Sequence, residues 1–259
     1  MTNILELRKA TKEFRGVPAI KDVDFTLRQG EVHAILGENG AGKSTLTKAL
    51  AGVHDLTTGN ILLDGKPVRI AGPADALARG IAMVFQETNL VPSMTVAQNI
   101  FLGDEKLFNR LRGINIQAQQ FLWGLNFHVD PTALVSSLGA AKKQMVEIAR
   151  AVQHKARIII LDEPTAALTP EEKFHFFTLV ERLKKEGVSI IFISHALEES
   201  LAIADRITVL RDGLLVLCDD AESLNRTKIV QAMVGRSLVE ALYGQEGKTA
   251  RPHRELGER

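Results

Sequence analysis

The stretch "GENGAGKST" (37–45) decides the fold class of this chain. It fits the pattern G-x-x-x-x-G-K-[ST] and lies between "EVHAIL" (31–36), a predicted strand, and "KSTLTKALAG" (43–52), a predicted helix. Glycines allow tight turns that bring backbone N–H groups close to phosphate oxygens, and a helix N-terminus adds free donors. The stretch therefore predicts a phosphate-binding loop that comprises Gly37, Asn39, Gly40, Ala41, Gly42, Lys43, Ser44 and Thr45.

Two side chains of this loop carry its predicted chemistry. Lys43 can reach the β and γ phosphates of a nucleotide, and Ser44 can ligate Mg²⁺. A chance glycine-rich turn is the alternative, but the complete match and its strand–helix context argue against it. By itself, the motif indicates a P-loop nucleotide-binding protein and leaves open whether it is a kinase, a GTPase, an ATPase or a helicase.

Composition excludes several classes of protein. The 259 residues, 45% hydrophobic and 24% charged, are typical of a globular protein with one domain, or one domain and a sub-domain. The net charge of +1 gives no global basic field, so we expect no nucleic-acid partner. No apolar run approaches the roughly 20 residues of a membrane span, and the N-terminus lacks a signal-peptide pattern, so we expect any membrane role to go through a partner. Cys218 is the single cysteine, which excludes an internal disulfide and makes the cytosol the default location.

The order of apolar segments predicts an α/β fold. Near-continuous apolar strands that alternate with helices indicate a mainly parallel sheet buried on both faces. Period-3.6 patterns dominate residues 93–154 and predict an inserted helical sub-domain, while Thr169 is the predicted N-cap of a helix over 169–185. The predicted strands lie at 4–9, 23–27, 31–36, 60–65, 81–86, 157–163 and 188–195, and on both sides of Asp212 and Gly213. We expect an ATP-binding core at 1–87 and 156–235, an insertion at 88–155, and a polar tail or linker at 236–259.

The segment "IIILDEP" (158–164) narrows the class of P-loop protein. Asp162, at the end of a buried strand, can hold Mg²⁺ through water, and Glu163 is then placed to orient or deprotonate an attacking water. A strand that ends in a solvated acidic turn is the alternative. The P-loop upstream favours the catalytic interpretation.

Two more polar residues follow predicted strands. His195 comes after "SIIFIS", and Gln86 ends the strand at 81–85. Parallel strands end on one rim of the sheet, where ligands bind in open α/β folds. His195 can then donate to a γ-phosphate, and Gln86 can ligate Mg²⁺ or the attacking water. A core-edge histidine and an ordinary polar strand end are the alternatives.

The order "GENGAGKST", "VFQE", "QMVEIARAV", "IIILDEP" and "ISH" resembles the nucleotide-binding domain of an ABC transporter over about residues 4–235. More finely, "FQETNLVPSMTVAQNIFLG" (85–103) and "MVGRSL" (233–238) are similar to ATP-binding subunits of bacterial carbohydrate importers of the ribose and galactoside type. The resemblance implies a P-loop NTPase core with an N-terminal antiparallel β portion, bound ATP and Mg²⁺, and ATP hydrolysis for monosaccharide import. It also implies that Phe14 stacks on adenine; a core or surface phenylalanine is the alternative.

The resemblance implies partners as well. A single polypeptide of that family usually carries two ATP-binding halves, and this chain resembles the N-terminal half, so we expect a fragment or a separate second half. The other expected partners are an integral membrane permease and, indirectly, a periplasmic or extracellular sugar-binding protein. The protein would lie on the cytoplasmic face of the inner (plasma) membrane. The coupling surface is expected around Gln86 to Asn99, where part of "NLVPSMTV" contacts the permease or, alternatively, packs in the core.

The sequence departs from the family at its signature, Leu-Ser-Gly-Gly-Gln, which binds the γ-phosphate held by the opposing P-loop. If "QMVEIAR" fixes the register, Gly139 replaces the serine, Ala141 adds a methyl group where backbone approaches phosphate, and Gly139 is still a tolerable helix cap. Slippage by a residue would bring Ser137 closer but break the helix register. The degenerate trans signature then comprises Leu138, Gly139, Ala140, Ala141 and Lys142.

The contrast between an intact P-loop set and this signature leads to a hypothesis of asymmetry. One ATP site of the dimer would hydrolyse, and the other would at most bind nucleotide. A second departure lies near Thr169, where the family at large has an aspartate and this chain is expected to have an N-cap. The alternative function is a non-transport ABC ATPase that acts on ribosomes or DNA, although the chain lacks a long coiled coil and a basic charge. A P-loop kinase would give no reason for "LDEP" and "ISH".

Overall fold

The computed structural model describes residues 2–85, 89–103, 111–166 and 168–235. Gln86, a predicted Mg²⁺ ligand, and the predicted polar tail at 236–259 lie outside these residues. Within them, the strands are β1 (Asn3–Phe14), β2 (Val17–Arg28), β3 (Val32–Leu36), β4 (Thr58–Leu63), β5 (Lys66–Val68), β6 (Ile81–Val84), β7 (Ile158–Asp162), β8 (Ser189–Ile193), β9 (Arg206–Arg211) and β10 (Leu214–Asp220). The helices are α1 (Lys43–Leu50), α2 (Pro73–Ala78), α3 (Val96–Ile100), α4 (Leu111–Gly124), α5 (Ala140–Gln153), α6 (Pro170–Lys185), α7 (Leu197–Ile203) and α8 (Arg226–Val234).

A six-stranded sheet in the order β10-β9-β3-β8-β7-β6 forms the centre of the molecule. Its strands from β9 to β6 run parallel, and β10 pairs antiparallel with β9 at one edge. Every residue of β3, β7 and β8 is buried, which is why these strands are apolar throughout rather than alternating. The α/β class and the mainly parallel sheet are confirmed.

An antiparallel sheet in the order β2-β1-β4-β5 forms the N-terminal part of the fold, as the resemblance implied. Strands β1 and β2 are longer than the sequence predicted, and their additional residues show no regular alternation between buried and exposed side chains. Their pairing contains several register shifts, which interrupt the simple pattern that would have indicated two long strands. Arg15 and Gly16, both with positive φ, form the tight turn between them.

Helix starts follow local sequence signals. Thr169 caps α6, where its hydroxyl accepts from the backbone N–H of Glu172 and the Glu172 carboxylate accepts from the N–H of Thr169. The predicted N-cap role of Thr169 is therefore confirmed. Thr95 and Gln98 form the same capping box at α3. By contrast, α5 begins after Gly139 with no side-chain cap.

The core lies on both faces of the parallel sheet. Alternate residues of β7 point to opposite sides, so Ile159 joins one hydrophobic cluster and Ile160 the other. The first cluster runs without a break from the sheet into the insertion, where it includes Ile114 of α4 and Val146 of α5. Within the described ranges, no helix is long and apolar enough to cross a bilayer.

Candidate functional site

A cavity of about 490 Å³ opens where β3, β7 and β8 end at the same edge of the sheet. The loop after β3 forms one side, and the residues that follow β7 and β8 form the other. The structure thus brings together side chains from three separate segments, at the edge where open α/β sheets bind ligands. The lining residues are Ala19, Asn39, Gly40, Ala41, Gly42, Lys43, Ser44, Thr45, Asp162, Glu163 and His195.

Two glycines of the loop, Gly42 and Gly40, differ in the space that surrounds them. At Gly42, with φ +102°, a Cβ atom would lie 2.7 Å from both the Ala19 carbonyl oxygen and the Ile20 side chain, so the chain itself leaves no room. At Gly40, with φ +85°, a Cβ atom would meet no protein atom within 4 Å. Gly40 borders the cavity, so a side chain there would occupy space that the loop leaves open to a ligand.

Lys43 folds its ammonium group back onto the loop. Its Nζ atom donates to the carbonyl oxygens of Gly37, at 2.7 Å, and Glu38, at 3.1 Å. Burial lowers the pKa of Lys43, although the nearby carboxylates of Glu163 and Asp162 act in the opposite direction. A partly desolvated ammonium held only by neutral carbonyls is ready to interact with an anionic phosphate.

Asp162 and Ser44 offer oxygen ligands to the same cavity. Asp162 is only 7% exposed, and burial followed by the neighbouring Glu163 charge raises the pKa of its carboxyl group, against smaller opposite effects of Lys48 and Lys43. A cation near Asp162 would relieve both effects. A hydroxyl and a carboxylate are hard oxygen donors of the kind that Mg²⁺ prefers, so the residues present fit this ion.

Glu163 and His195 form a direct pair. The Glu163 Oε2 atom lies 2.5 Å from Nδ1 of His195, and the glutamate side chain is far less exposed than the imidazole. Glu163 adopts a left-handed backbone conformation with φ +51°, and its N–H donates to the Ile193 carbonyl oxygen at 3.0 Å. Such a conformation is uncommon for a residue other than glycine. It fixes the carboxylate between the end of β7 and His195.

Phe14 lies apart from this set. Its side chain is 43% exposed, its ring centroid is 5.3 Å from that of His54, and the Lys12 ammonium lies 5.2 Å above it. Phe14 is not among the residues that line the cavity. Its stacking on adenine stays a prediction.

The support beneath the loop was not predicted from the sequence. The turn between β9 and β10 reaches across, where the Gly213 N–H donates to the Ala41 carbonyl oxygen at 3.1 Å. Gly213 in turn accepts from the Lys21 N–H at 2.9 Å, which ties β2 to the same turn. In the sequence, Asp212 and Gly213 signal only a hairpin turn. Nothing local to either segment indicates that they meet.

A second missed support joins the segment after β7 to α7. Thr165 is 3% exposed, and its hydroxyl donates to the Glu199 carboxylate at 2.5 Å, while Lys173 of α6 lies 2.6 Å from the other oxygen of Glu199. His195 lies in the bend two residues before α7, and Glu199 lies in the first turn of α7, so this short helix adjoins the histidine and also holds the segment after Glu163.

The predicted signature lies away from this cavity, at the start of α5. Ser137 ends a short 3₁₀ turn and donates its hydroxyl to the Leu134 carbonyl oxygen at 2.7 Å. Gly139 is the N-cap of α5, and a Cβ atom there would meet no protein atom within 4 Å. The helix therefore starts in the register expected from "QMVEIAR". Leu138 packs against the core, and Ala140 and Lys142 are exposed.

Ala141 corrects part of the expectation. We expected its methyl group on the surface that a phosphate approaches, but the residue is only 7% exposed. It lines a groove of about 530 Å³ between α5 and α6, together with Met145 and Leu179. In an α-helix, residues one position apart point about 100° away from each other, so Ala141 turns inward while Ala140 faces solvent.

The segment that we expected to contact a permease has some buried and some exposed side chains. Leu90 and Val96 are buried in the core, so the core-packing alternative holds for these two apolar residues. Asn99 is also fully buried, and its side-chain amide bonds with the backbone of Val91 and Thr95, which shapes the loop between them. Among the described residues of this segment, the accessible side chains are those of Asn89, of the loop from 91 to 95 and, in part, of Gln98.

Comparisons with known proteins agree with this geometry. Residues 20–166 match the ABC transporter family. The chain is 51% identical over 243 residues to the ribose import ATP-binding protein RbsA 1 of Rubrobacter xylanophilus, which covers 93% of this chain and 48% of that protein. It is 46% identical over 242 residues to the xylose import ATP-binding protein XylG of Thermoanaerobacter pseudethanolicus, with 92% and 48% coverage.

The fold has solved counterparts. The structure of cbiO1 from Clostridium perfringens, described as part of the ABC transporter complex cbiONQ, superposes with a TM-score of 0.77 at 26% identity and covers 95% of this chain and 98% of that one. The chain spans about half the length of the curated relatives it matches. The matched family, the shared fold and the P-loop cavity agree, and the chain belongs to the ABC transporter family.

Proposed function

We propose that this chain is an ATP-binding and ATP-hydrolysing subunit that energises an importer of a monosaccharide. The observation that carries the proposal is the single cavity that contains Lys43, Asp162, Glu163 and His195. The relatives named for ribose and xylose import support the substrate class. Sugar choice itself would be made by partner proteins, because no residue of this cavity is suited to distinguish one sugar from another.

Each residue of the cavity has a proposed task. The backbone N–H groups of Asn39 to Thr45 and the Lys43 ammonium bind the nucleotide phosphates, while Ser44 and Asp162 hold Mg²⁺. The metal ion supplies positive charge that neutralises the phosphates when it is bound. Glu163 orients the attacking water and accepts its proton. His195 holds the Glu163 carboxylate in place until the imidazole of His195 donates a hydrogen bond to the γ-phosphate. Gln86 is proposed as a further ligand of the metal ion or the water.

We also propose that this site works across a dimer. A second ATP-binding half, fused or separate, would supply its signature to this P-loop, and this chain's Gly139 would face the P-loop of that half. The exposed helix start at Gly139, with no side-chain hydroxyl, supports one hydrolytic site and one weakened site. The partners are then the second half, a membrane permease and, indirectly, a sugar-binding protein outside the membrane.

The permease is proposed to dock near the accessible loop at 91–95, which places this chain on the cytoplasmic face of the inner membrane. The division into a core (1–87 and 156–235), an insertion (88–155) and a tail (236–259) remains part of the proposal. The described part of the insertion is joined to the sheet by one continuous hydrophobic cluster. A displacement of the insertion would therefore be transmitted to the core.

The isolated chain tests the first half of the proposal. We expect it to bind Mg-ATP, measured by isothermal titration, and to hydrolyse it slowly, because the signature of a second half is absent. Lys43→Ala should abolish binding, while Lys185→Ala, at an exposed position of α6 outside the cavity, should leave it unchanged. Fast turnover that does not depend on protein concentration would contradict the trans arrangement. Failure of the unmodified chain to bind Mg-ATP would overturn the function.

Co-purification tests the second half. From cells that express the chain at native level, we expect a membrane permease to be recovered with it in detergent. Recovery with ribosomes or DNA instead would replace the proposal with the competing non-transport function. Surface substitution within 91–95, for example Met94→Asp, should release the permease without changing Mg-ATP affinity, whereas Phe174→Asp on exposed α6 serves as the matched control.

A further inference from the structure

Two side chains of helix α5 form hydrogen bonds with the backbone of Asn89, in the segment that follows β6. The Glu147 Oε1 atom accepts the backbone N–H of Asn89 at 2.5 Å, and Arg150 donates through Nη1 to the Asn89 carbonyl oxygen at 3.2 Å. Both backbone hydrogen-bonding groups of Asn89 are therefore held by side chains of a single helix. The predicted phosphate-contacting turn at Gly139 lies at the N-terminal end of that helix.

The buried Glu147 carboxylate lowers the stability of the fold. Glu147 is only 3% exposed, Arg150 approaches it no closer than 3.8 Å, and burial raises the pKa of the Glu147 carboxyl group. Its second oxygen, Oε2, has no hydrogen-bond partner within the part of the chain that the structure describes. A buried carboxylate that is incompletely paired usually destabilises a protein relative to an apolar side chain of similar size. A purely structural role is therefore a poor explanation for it.

The contact with Asn89 lies between the candidate site and the insertion. Asn89 lies five residues beyond the end of β6, on the path from the sheet edge with the candidate site into the insertion. Helix α5 packs on β6 and α3, and a cavity of about 270 Å³ beside Glu147, Arg150 and His154 leaves space at this junction. The bonds to Asn89 therefore cross a junction that is incompletely filled, where a small movement meets little resistance.

We infer that Glu147 and Arg150 are positioning residues that carry movement of the segment around Asn89 to the N-terminal turn of α5. The inference rests on the proposed function, because that movement would begin when nucleotide fills the cavity. Two bonds to the backbone of one residue, one on each of its adjoining peptide units, constrain the direction as well as the distance of that residue, so the helix follows the segment as a rigid body. Glu147 and Arg150 are not among the residues that line the cavity with Lys43, and they act through Asn89.

Substitution of Glu147 separates this role from a structural one. Glu147→Met removes the acceptor and fills a similar volume, and it should leave the melting temperature equal to that of the unmodified chain or above it. Glu147→Gln keeps a carbonyl oxygen that can accept from Asn89 but removes the charge. Gln144→Met is a matched control, since Gln144 lies on the same helix and makes no bond to Asn89.

The experiment is hydrogen exchange measured by mass spectrometry on the full chain, with and without Mg-AMP-PNP. In the unmodified chain we expect nucleotide to slow or speed exchange in peptides from α5 and from 89–103. Glu147→Met should keep the nucleotide affinity but reduce the α5 response about five-fold or more, while Glu147→Gln and Gln144→Met retain it. Arg150→Met should give a similar loss and serves as the second test if Glu147→Met fails to fold.

The outcomes are distinct. An unmodified chain that does not bind Mg-AMP-PNP would overturn the proposed function. Binding without any change in α5, or an unchanged α5 response in Glu147→Met and Arg150→Met, would overturn the inference and leave the proposed function intact. A fall in melting temperature together with a lost response in Gln144→Met would show that the helix is merely sensitive to substitution, and would also overturn it.

Discussion

The P-loop and the start of α5 are both turns that end in a helix N-terminus, yet they are built in different ways. At Gly42 the chain presses against its own backbone, since a Cβ atom would lie 2.7 Å from the Ala19 carbonyl oxygen. At Gly139 a Cβ atom would meet no atom of the described residues within 4 Å. The fold of this chain dictates the first glycine, whereas its described part leaves room for a side chain at the second.

The same contrast holds for the surroundings of the two turns. The P-loop is held by Gly213 from the β9–β10 turn and by the Lys43 ammonium from within. The turn before α5 is held by a 3₁₀ turn and by Leu138, while its cap makes no side-chain bond. A substitution at the P-loop therefore changes fold and function together, whereas one at Gly139 changes what a partner meets and leaves the fold unchanged.

The largest effect is expected at the P-loop side of the comparison, from Glu163→Gln. The amide can still contact His195 but cannot accept a proton from water, so hydrolysis by the assembled complex should fall about 100-fold or more while Mg-ATP affinity is kept. Phosphate release and isothermal titration measure the two quantities. Glu171→Gln, on the exposed first turn of α6, is the control. Unchanged turnover would mean that Glu163 is not the base.

The next effect tests the steric difference itself through one substitution made twice. Gly42→Ala should lower the free energy of unfolding by about 2 kcal/mol or more, because its φ of +102° and the 2.7 Å contact both reject a methyl group. Gly139→Ala should lower it by less than about 1 kcal/mol, as expected for a change at an N-cap. Urea denaturation measures both. Equal losses would show that the two turns are constrained alike.

Where a signal is local, the sequence was sufficient to predict the structure. Thr169 and Glu172 stand three residues apart and cap α6 as expected, and the unbroken apolar run of β7 identified a strand buried on both faces. The phosphate-binding loop was predicted for the same reason, because its residues are contiguous. These features depend on neighbours along the chain, which a sequence displays directly.

Contacts between distant segments could not be predicted in this way. Gly213 supports Ala41 and Glu147 holds Asn89, and in each pair neither residue has a sequence context that points to the other. The burial of Ala141 depends in the same way on α6, which forms the far wall of its groove. Burial and pairing across a fold are tertiary properties, so the residues of the candidate site could be predicted from the sequence, but the supports that hold them could not.

The smallest effect is the most specific test of the comparison. Gly139→Ser alone restores the signature serine without disturbing the fold, because Gly139 is exposed. Ala141 is buried, so Ala141→Gly would also empty a packed position and weaken the helix. In the complex with a second half, a serine hydroxyl aimed at the opposing γ-phosphate should raise turnover at that site about ten-fold, which corresponds to the lower end of the range for one hydrogen bond to a charged group.

Site-specific turnover in that complex can be followed with the P-loop lysine of this chain replaced, Lys43→Ala, so that only the opposite site hydrolyses. The isolated chain should meanwhile show unchanged Mg-ATP affinity and nearly unchanged stability with Gly139→Ser, because a Cβ atom at this cap meets no atom of the described residues within 4 Å. Ser136→Gly, in the exposed turn just before it, is the matched control. If the opposite site already turns over as fast with glycine as with serine, the difference at Gly139 has no catalytic meaning, and the two sites are functionally equivalent despite their unlike construction.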